Sequence, residues 1–166
     1  MTHTTTAAHI PSISAHVREE TGGQLQATLV ELLDLSLVGK QLHWSIVGPR
    51  FRPVHEQLDE LVESWQGLAD TVAERAVALG YWPDGQAGAI ADASAAAPVD
   101  RGAVPVELAL AHIVRRVAEV SEGARERMDR LGELDSVSED VLIGVVRTLE
   151  EQLWMLRSQI SNGQGQ

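Results

Sequence analysis

Apolar residues recur along this chain at spacings of three and four, the period of one helix face. The first run is Leu25, Leu29, Leu32, Leu35, Gly39, Leu42 and Ile46, ended by Gly48-Pro49. A second begins around Pro53, a residue suited to a first helical turn. It carries Leu58, Leu61, Val62, Trp65, Ala69, Val72, Ala76 and Leu79 and stops near Gly80. The third, from about Val104 to Leu131, is expected to turn Leu108, Ile113, Val117, Val120, Ala124 and Met128 inward. Ser136-x-x-Glu139 has the spacing of a capping box. It opens a fourth run with Leu142, Val145, Val146, Leu149, Leu153 and Leu156.

The stretch between the second and third runs is too long for a tight hairpin. It can cross the length of a bundle and hold one short helix around Ala89 to Ala93. Four long helices with such a crossover describe an all-α, ferritin-like four-helix bundle over residues 23–161. Residues 1–22 read as a mobile N-terminal tail and 162–166 as a short C-terminal one. Aromatic residues make up only 4% of the chain, which favours helices over a β-sandwich.

Charge and cysteine content narrow the chemistry. The formal net charge is −11, from 24 acidic against 13 basic residues. A surface of that sign attracts cations and repels the phosphate backbone of nucleic acid. With no cysteine, disulfides, thiolate metal sites and cysteine nucleophiles are excluded. No basic-then-apolar leader opens the chain and no apolar run approaches bilayer length, so the expectation is a soluble, cytoplasmic protein without membrane contact.

Against that background His43, His55, Asp59, Asp70 and Glu74 stand out, since imidazoles with carboxylates suit iron. Taking Leu58 as zero on the second helix, the core residues cluster near roughly 340° at 100° per residue. His55, Asp59, Asp70 and Glu74 fall at roughly 60°, 100°, 120° and 160°. They share one stripe, and it is not the stripe facing the core.

His55 and Asp59 are one turn apart, as are Asp70 and Glu74, so each pair can meet a single ion. The two pairs lie about 22 Å apart along the helix. One chain therefore holds two half-sites, which a two-fold axis would join into two equivalent centres. A second apolar stripe on the first helix, Val30, Leu33, Leu37 and Trp44, supports burial against another subunit. Two readings stay open at this point: a metal site, or a ligand-like stripe that only forms salt bridges between subunits. A di-iron site inside the bundle is disfavoured, because no Glu-x-x-His occurs.

The motif H-W-x-x-x-G-P-x-F-x-x-x-H-E-x-x-D followed by D-x-x-A-E-R and L-G resembles the Dps family, the mini-ferritins named as DNA-binding proteins from starved cells. The D-S-V-S-E-D-V-L and L-W-M-L segments are similar too, so the likeness spans roughly residues 23 to 160. The resemblance implies a hollow dodecamer built from two-fold dimers. Ferroxidase centres would lie at the dimer interfaces, with His43, His55 and Asp59 from one subunit and Asp70 and Glu74 from the other. It further implies oxidation of Fe(II), typically by hydrogen peroxide, storage of the ferric product and a role in oxidative stress. Zinc would tolerate much of the same ligand set.

Other matches to the family carry competing readings. Trp44 packs over the site or intercepts oxidising equivalents, and plain packing is the reading taken for it, as for Trp65 and Trp154. Asp135 and Asp140 align with acidic residues lining pores through which iron enters, or cap a helix N-terminus. His3, His9 and His16 read as spectators in the tail, and His112 receives no role. The chain departs from DNA-condensing family members in its tails: the first 20 residues hold Arg18 as their one fixed cation. An iron-oxidising and iron-storing shell is the favoured reading, with a nucleoid-associated, DNA-compacting protein as its rival.

Overall fold

A computed structural model describes residues 12–94 and 98–160. Its long helices are α1 (Ala15–Ser45), α2 (Phe51–Leu79), α4 (Val106–Gly132) and α5 (Ser136–Ile160), with a short α3 (Ala87–Ala93) in the crossover. Two-residue strands β1 (Ile46–Val47) and β2 (Val104–Pro105) pair in parallel, Ile46 with Val104 and Val47 with Pro105. This is the expected four-helix bundle with a long crossover. Among the described residues, no helix is long and apolar enough to cross a membrane.

The course of the crossover follows from its contacts. It leaves α2 at Gly80, whose φ of 86° lets the helix end in a left-handed turn. Tyr81 then lies against Gly22, where a Cβ would sit 2.1 Å from the ring. Gln26 of α1 donates to the Asp84 carbonyl and accepts from its N–H. Higher up, Ser94 donates to Asp34, and β2 meets β1 at the far end of α1. The chain has climbed the full length of α1 before α4 descends.

Arginines on α4 clamp it to α1. Arg116 bonds Asp34 at 2.9 Å, Arg127 reaches Thr28 and Glu31, and Arg130 reaches Glu20. Between α2 and α5, the Trp65 indole N–H donates to Gln152 at 2.8 Å, and Gln152 donates to Ser64. Trp65 is fully buried, as a packing role requires. Gly39 makes room for it, since a Cβ there would lie 2.6 Å from the indole.

Several expectations need correction. The first helix begins at Ala15, not near Gly23, because Ser14 caps it by accepting from the Val17 N–H. The expected tail thus contributes two helical turns to α1. Leu108 is 63% exposed and not inward: it lies across α4 from the stripe of Val106, Leu110, Ile113, Val117 and Val120. The capping box at Ser136 is displaced by one residue, for Asp135 accepts from the Ser138 N–H and is the cap. Of the second apolar stripe on α1, Val30 is buried and Leu33 partly buried within this chain. A Cβ at Gly85 of the crossover would come within 3.2 Å of Leu33. Only Leu37, at 59% exposure, and Trp44, at 69%, are left for another partner.

Candidate metal centre

Hydrophobic anchoring on one face of each helix presents the candidate ligands on the other. Leu42 and Ile46 bury the end of α1, while Val54, Leu58, Leu61 and Val62 bury the start of α2. Between them, Gly48 (φ 111°) and Arg50 (φ 63°) take left-handed backbone, and Arg50 reaches Glu107 of α4 at 3.2 Å. That turn sets His43 directly against His55.

The two imidazoles are stacked, with ring centroids 3.7 Å apart and planes 21° from parallel. Each ring binds the other residue's backbone. His43 Nδ1 donates to the His55 carbonyl, and His55 Nδ1 donates to the His43 carbonyl, both at 3.0 Å. A proton fixed on Nδ1 leaves Nε2 of the neutral ring with a free lone pair, the form in which histidine ligates metals. His43 is buried, and Phe51 covers the His55 ring from a centroid distance of 5.0 Å.

Asp59 completes this end. Its Oδ1 stands 3.7 Å from His43 Nδ1 and takes a hydrogen bond from Lys40. That bond is the largest cause holding the Asp59 carboxyl below its ordinary range; burial, next in size, opposes it, and His43, Lys40 and His55 add attraction. Lys40 was the missed residue. It is the chain's sole lysine, one turn before His43 on the same helix, which was the available signal. Beyond it a groove of about 390 Å³ runs between α1 and α2, lined by Lys40, Asp59, Glu60, Val62, Glu63 and Gln66.

Asp70 and Glu74 are exposed near the other end of α2, about 22 Å along the axis from His55. The structure brings His43, His55 and Asp59 together and leaves Asp70 and Glu74 apart from them. Among the described residues, no three histidine, aspartate or glutamate side chains close up enough to hold an ion within one chain.

Comparison with known proteins decides the kinship. A family profile described as a ferritin-like domain matches residues 23–165. A DNA protection during starvation protein from Mycolicibacterium smegmatis is 37% identical over 97% of this chain and 88% of its own length. The chain belongs to the Dps family of ferritin-like proteins. A solved structure of Mycobacterium smegmatis Dps in a tetragonal form superposes with a TM-score of 0.89 at 35% identity, covering 95% of this chain and 97% of that one. Dps from Microbacterium arborescens, solved in a high iron form, gives 0.85 at 29% identity over 89% and 97%.

The remaining candidates fall elsewhere in this Dps chain. Asp135 sits at the α4–α5 turn, its carboxylate bound by Arg75 at 2.6 Å and by both the N–H and hydroxyl of Ser138. Burial raises its carboxyl, but these hydrogen bonds outweigh burial and hold it below the usual aspartate range. Capping and clamping account for Asp135 within the chain, whereas Asp140 is exposed. Trp44 and Trp154 are 69% and 67% exposed, so the packing expected of both does not occur within the chain. His16 stands 3.7 Å from Glu20 on α1, while His3 and His9 lie outside the described residues. His112 of α4 has a buried, unpartnered Nε2 and is pushed down by burial and by the nearby Arg115 and Arg116.

Proposed function

We propose that this protein oxidises Fe(II) with hydrogen peroxide at centres shared between two subunits and stores the ferric product in a hollow homo-oligomer, the dodecamer of its family. His43, His55 and Asp59 of one subunit would face Asp70 and Glu74 of the partner subunit. The observation that carries the reading is the reciprocal Nδ1-to-carbonyl bonding of the two histidines, which leaves the Nε2 lone pairs of both neutral rings free for a metal, with Asp59 next to His43. The high-iron structure of the Microbacterium arborescens relative supports iron as the substrate.

The residues divide the work by charge. Neutral imidazoles bind Fe(II) without adding charge, and carboxylates stabilise the higher charge of Fe(III). Peroxide takes one electron from each of two Fe(II) ions and, with two protons, leaves as two waters. Both electrons move at one centre, so no hydroxyl radical is released. Protection of DNA follows from that chemistry without DNA contact, consistent with a net charge of −11 per chain.

Subunit complementation tests this directly. One variant carries His43→Ala and His55→Ala, the other Asp70→Ala and Glu74→Ala. Each alone should oxidise Fe(II) at least about tenfold more slowly in stopped flow, as expected when ligands are lost. Refolded together in equal amounts, they should regain about a quarter of the native rate, since half the dimers are mixed and each mixed dimer holds one intact centre. Full activity of either variant alone, or no recovery on mixing, would refute the shared centre.

A further inference from the structure

The spacing of the four α2 candidates specifies how two copies meet. His55 and Glu74 have residue numbers summing to 129, and so do Asp59 and Asp70. One antiparallel register therefore satisfies both pairs at once, with its two-fold axis between Ser64 and Trp65. Those two residues point inward, where Trp65 binds Gln152 and Ser64 accepts from it. The outward residues nearest the axis are Glu63 and Gln66, and their numbers again sum to 129.

On the helical wheel the same operation is symmetric about roughly 110°, placing Glu63 near 140° and Gln66 near 80° on either side of the contact line. Resting on the shared-centre reading above, we propose that Glu63 and the partner's Gln66 form the reciprocal contact at the two-fold axis that fixes the register of the dimer. A Gln amide donates to a carboxylate, so this pair meets without like-charge conflict at the middle of an otherwise acidic stripe. Two such bonds form per dimer, one on each side of the axis.

Two features of the chain agree. Glu63 and Gln66 both line the groove between α1 and α2, which continues to Lys40 and Asp59, so the contact is contiguous with the half-site. Gly67 interrupts α2 mid-helix at a cost in helix stability, yet a Cβ there would meet nothing within 4 Å of its own chain. Gly67, next to Gln66 and exposed, leaves that edge of the face without a side chain, so a partner helix can come close there. The occupant is a second copy of this chain.

Because the protein has no native cysteine, a disulfide reports this contact cleanly. Full-length Glu63→Cys and Gln66→Cys single variants, refolded together in equal amounts and oxidised with diamide, should give mixed covalent dimers in high yield. Glu56→Cys mixed with Gln66→Cys, two turns out of register, should form them at least about tenfold more slowly, since a disulfide demands close Cβ atoms. Equal rates for the two, or no dimer from the first, would overturn the register. A second arm uses charge: Gln66→Glu should weaken dimerisation about tenfold at low salt, and adding Glu63→Gln should restore it. Failure of the swap to restore pairing would also overturn it. Recovery of iron oxidation by subunit complementation is read separately. Complementation without the disulfide refutes the Glu63–Gln66 contact alone, and the disulfide without complementation refutes the shared iron centre alone.

Discussion

His43 and His55 lock each other's tautomer, each ring donating from Nδ1 to the other's carbonyl at 3.0 Å. In most metalloproteins a separate residue orients a ligand histidine. Here two ligand candidates do so reciprocally. Replacing either one therefore removes a donor and releases its neighbour. His43→Ala should lower Fe(II) oxidation by more than the loss of one ligand, and should cost about 1–2 kcal/mol of stability from the lost buried hydrogen bond. Stopped-flow rates and urea unfolding give the two readings. A stability loss with unchanged oxidation would reassign His43 to structure.

Lys40 competes with a cation for Asp59. Lys40→Met should leave the fold intact and raise affinity for Zn(II), a redox-silent probe, by several-fold in titration calorimetry. The sign follows from electrostatics, since an ammonium held against the ligand must be displaced by the incoming ion. Weaker binding would mean that Lys40 positions Asp59 and does not obstruct it.

Asp135 and Asp140 should separate under mutation. Asp135→Asn can still cap the helix but loses the Arg75 ion pair, which should cost about 2 kcal/mol. Asp140→Asn should change stability by less than about 0.5 kcal/mol, as for an ordinary surface site. Because the folded Asp135 carboxyl is held below its unfolded value, its contribution is complete above the ordinary aspartate range. It is lost as pH falls through the folded value. Acid titrations of the wild type and Asp135→Asn check this. If iron uptake falls in Asp140→Asn with the ferroxidase rate per centre intact, Asp140 serves as a pore residue.

Burial holds His112 below the ordinary imidazole value. Below about pH 6.5 the unfolded chain gains a proton there that the folded chain does not, so folding stability should fall with pH through this window. His112→Gln should flatten the fall in melting temperature between pH 7 and pH 5. An unaltered pH profile would place the sensitivity elsewhere.

The sequence showed the bundle plainly because the inward stripe of α2 is unbroken, and because Gly48-Pro49 and Gly80 punctuate its ends. It also placed the four α2 candidates on one outward stripe, since a helix wheel needs only residue numbers. Local patterning was weaker where tertiary contacts chose between equivalents. Asp135 displaced Ser136 as cap because Arg75, distant in sequence, secures its carboxylate. Leu108 fits an apolar spacing as well as Leu110 does, but the face holding Ile113 and Val117 selects Leu110. The Lys40–Asp59 bond and the histidine exchange join two helices across a turn, and no single-helix periodicity contains them.

The crossover also separates the two ends of the described chain. By returning to the far end of α1 before α4 begins, it makes α5 run in the same direction as α1. Arg130 near the end of α4 meets Glu20 early in α1, while Gln159 at the close of α5 meets Gln57 early in α2. The described chain thus starts at one pole of the bundle and stops at the other, about 35 Å away by helix rise. Fluorophores attached at Ser12 and at Ser158, both exposed, would sit at opposite poles, so the two ends of the bundle can be labelled independently.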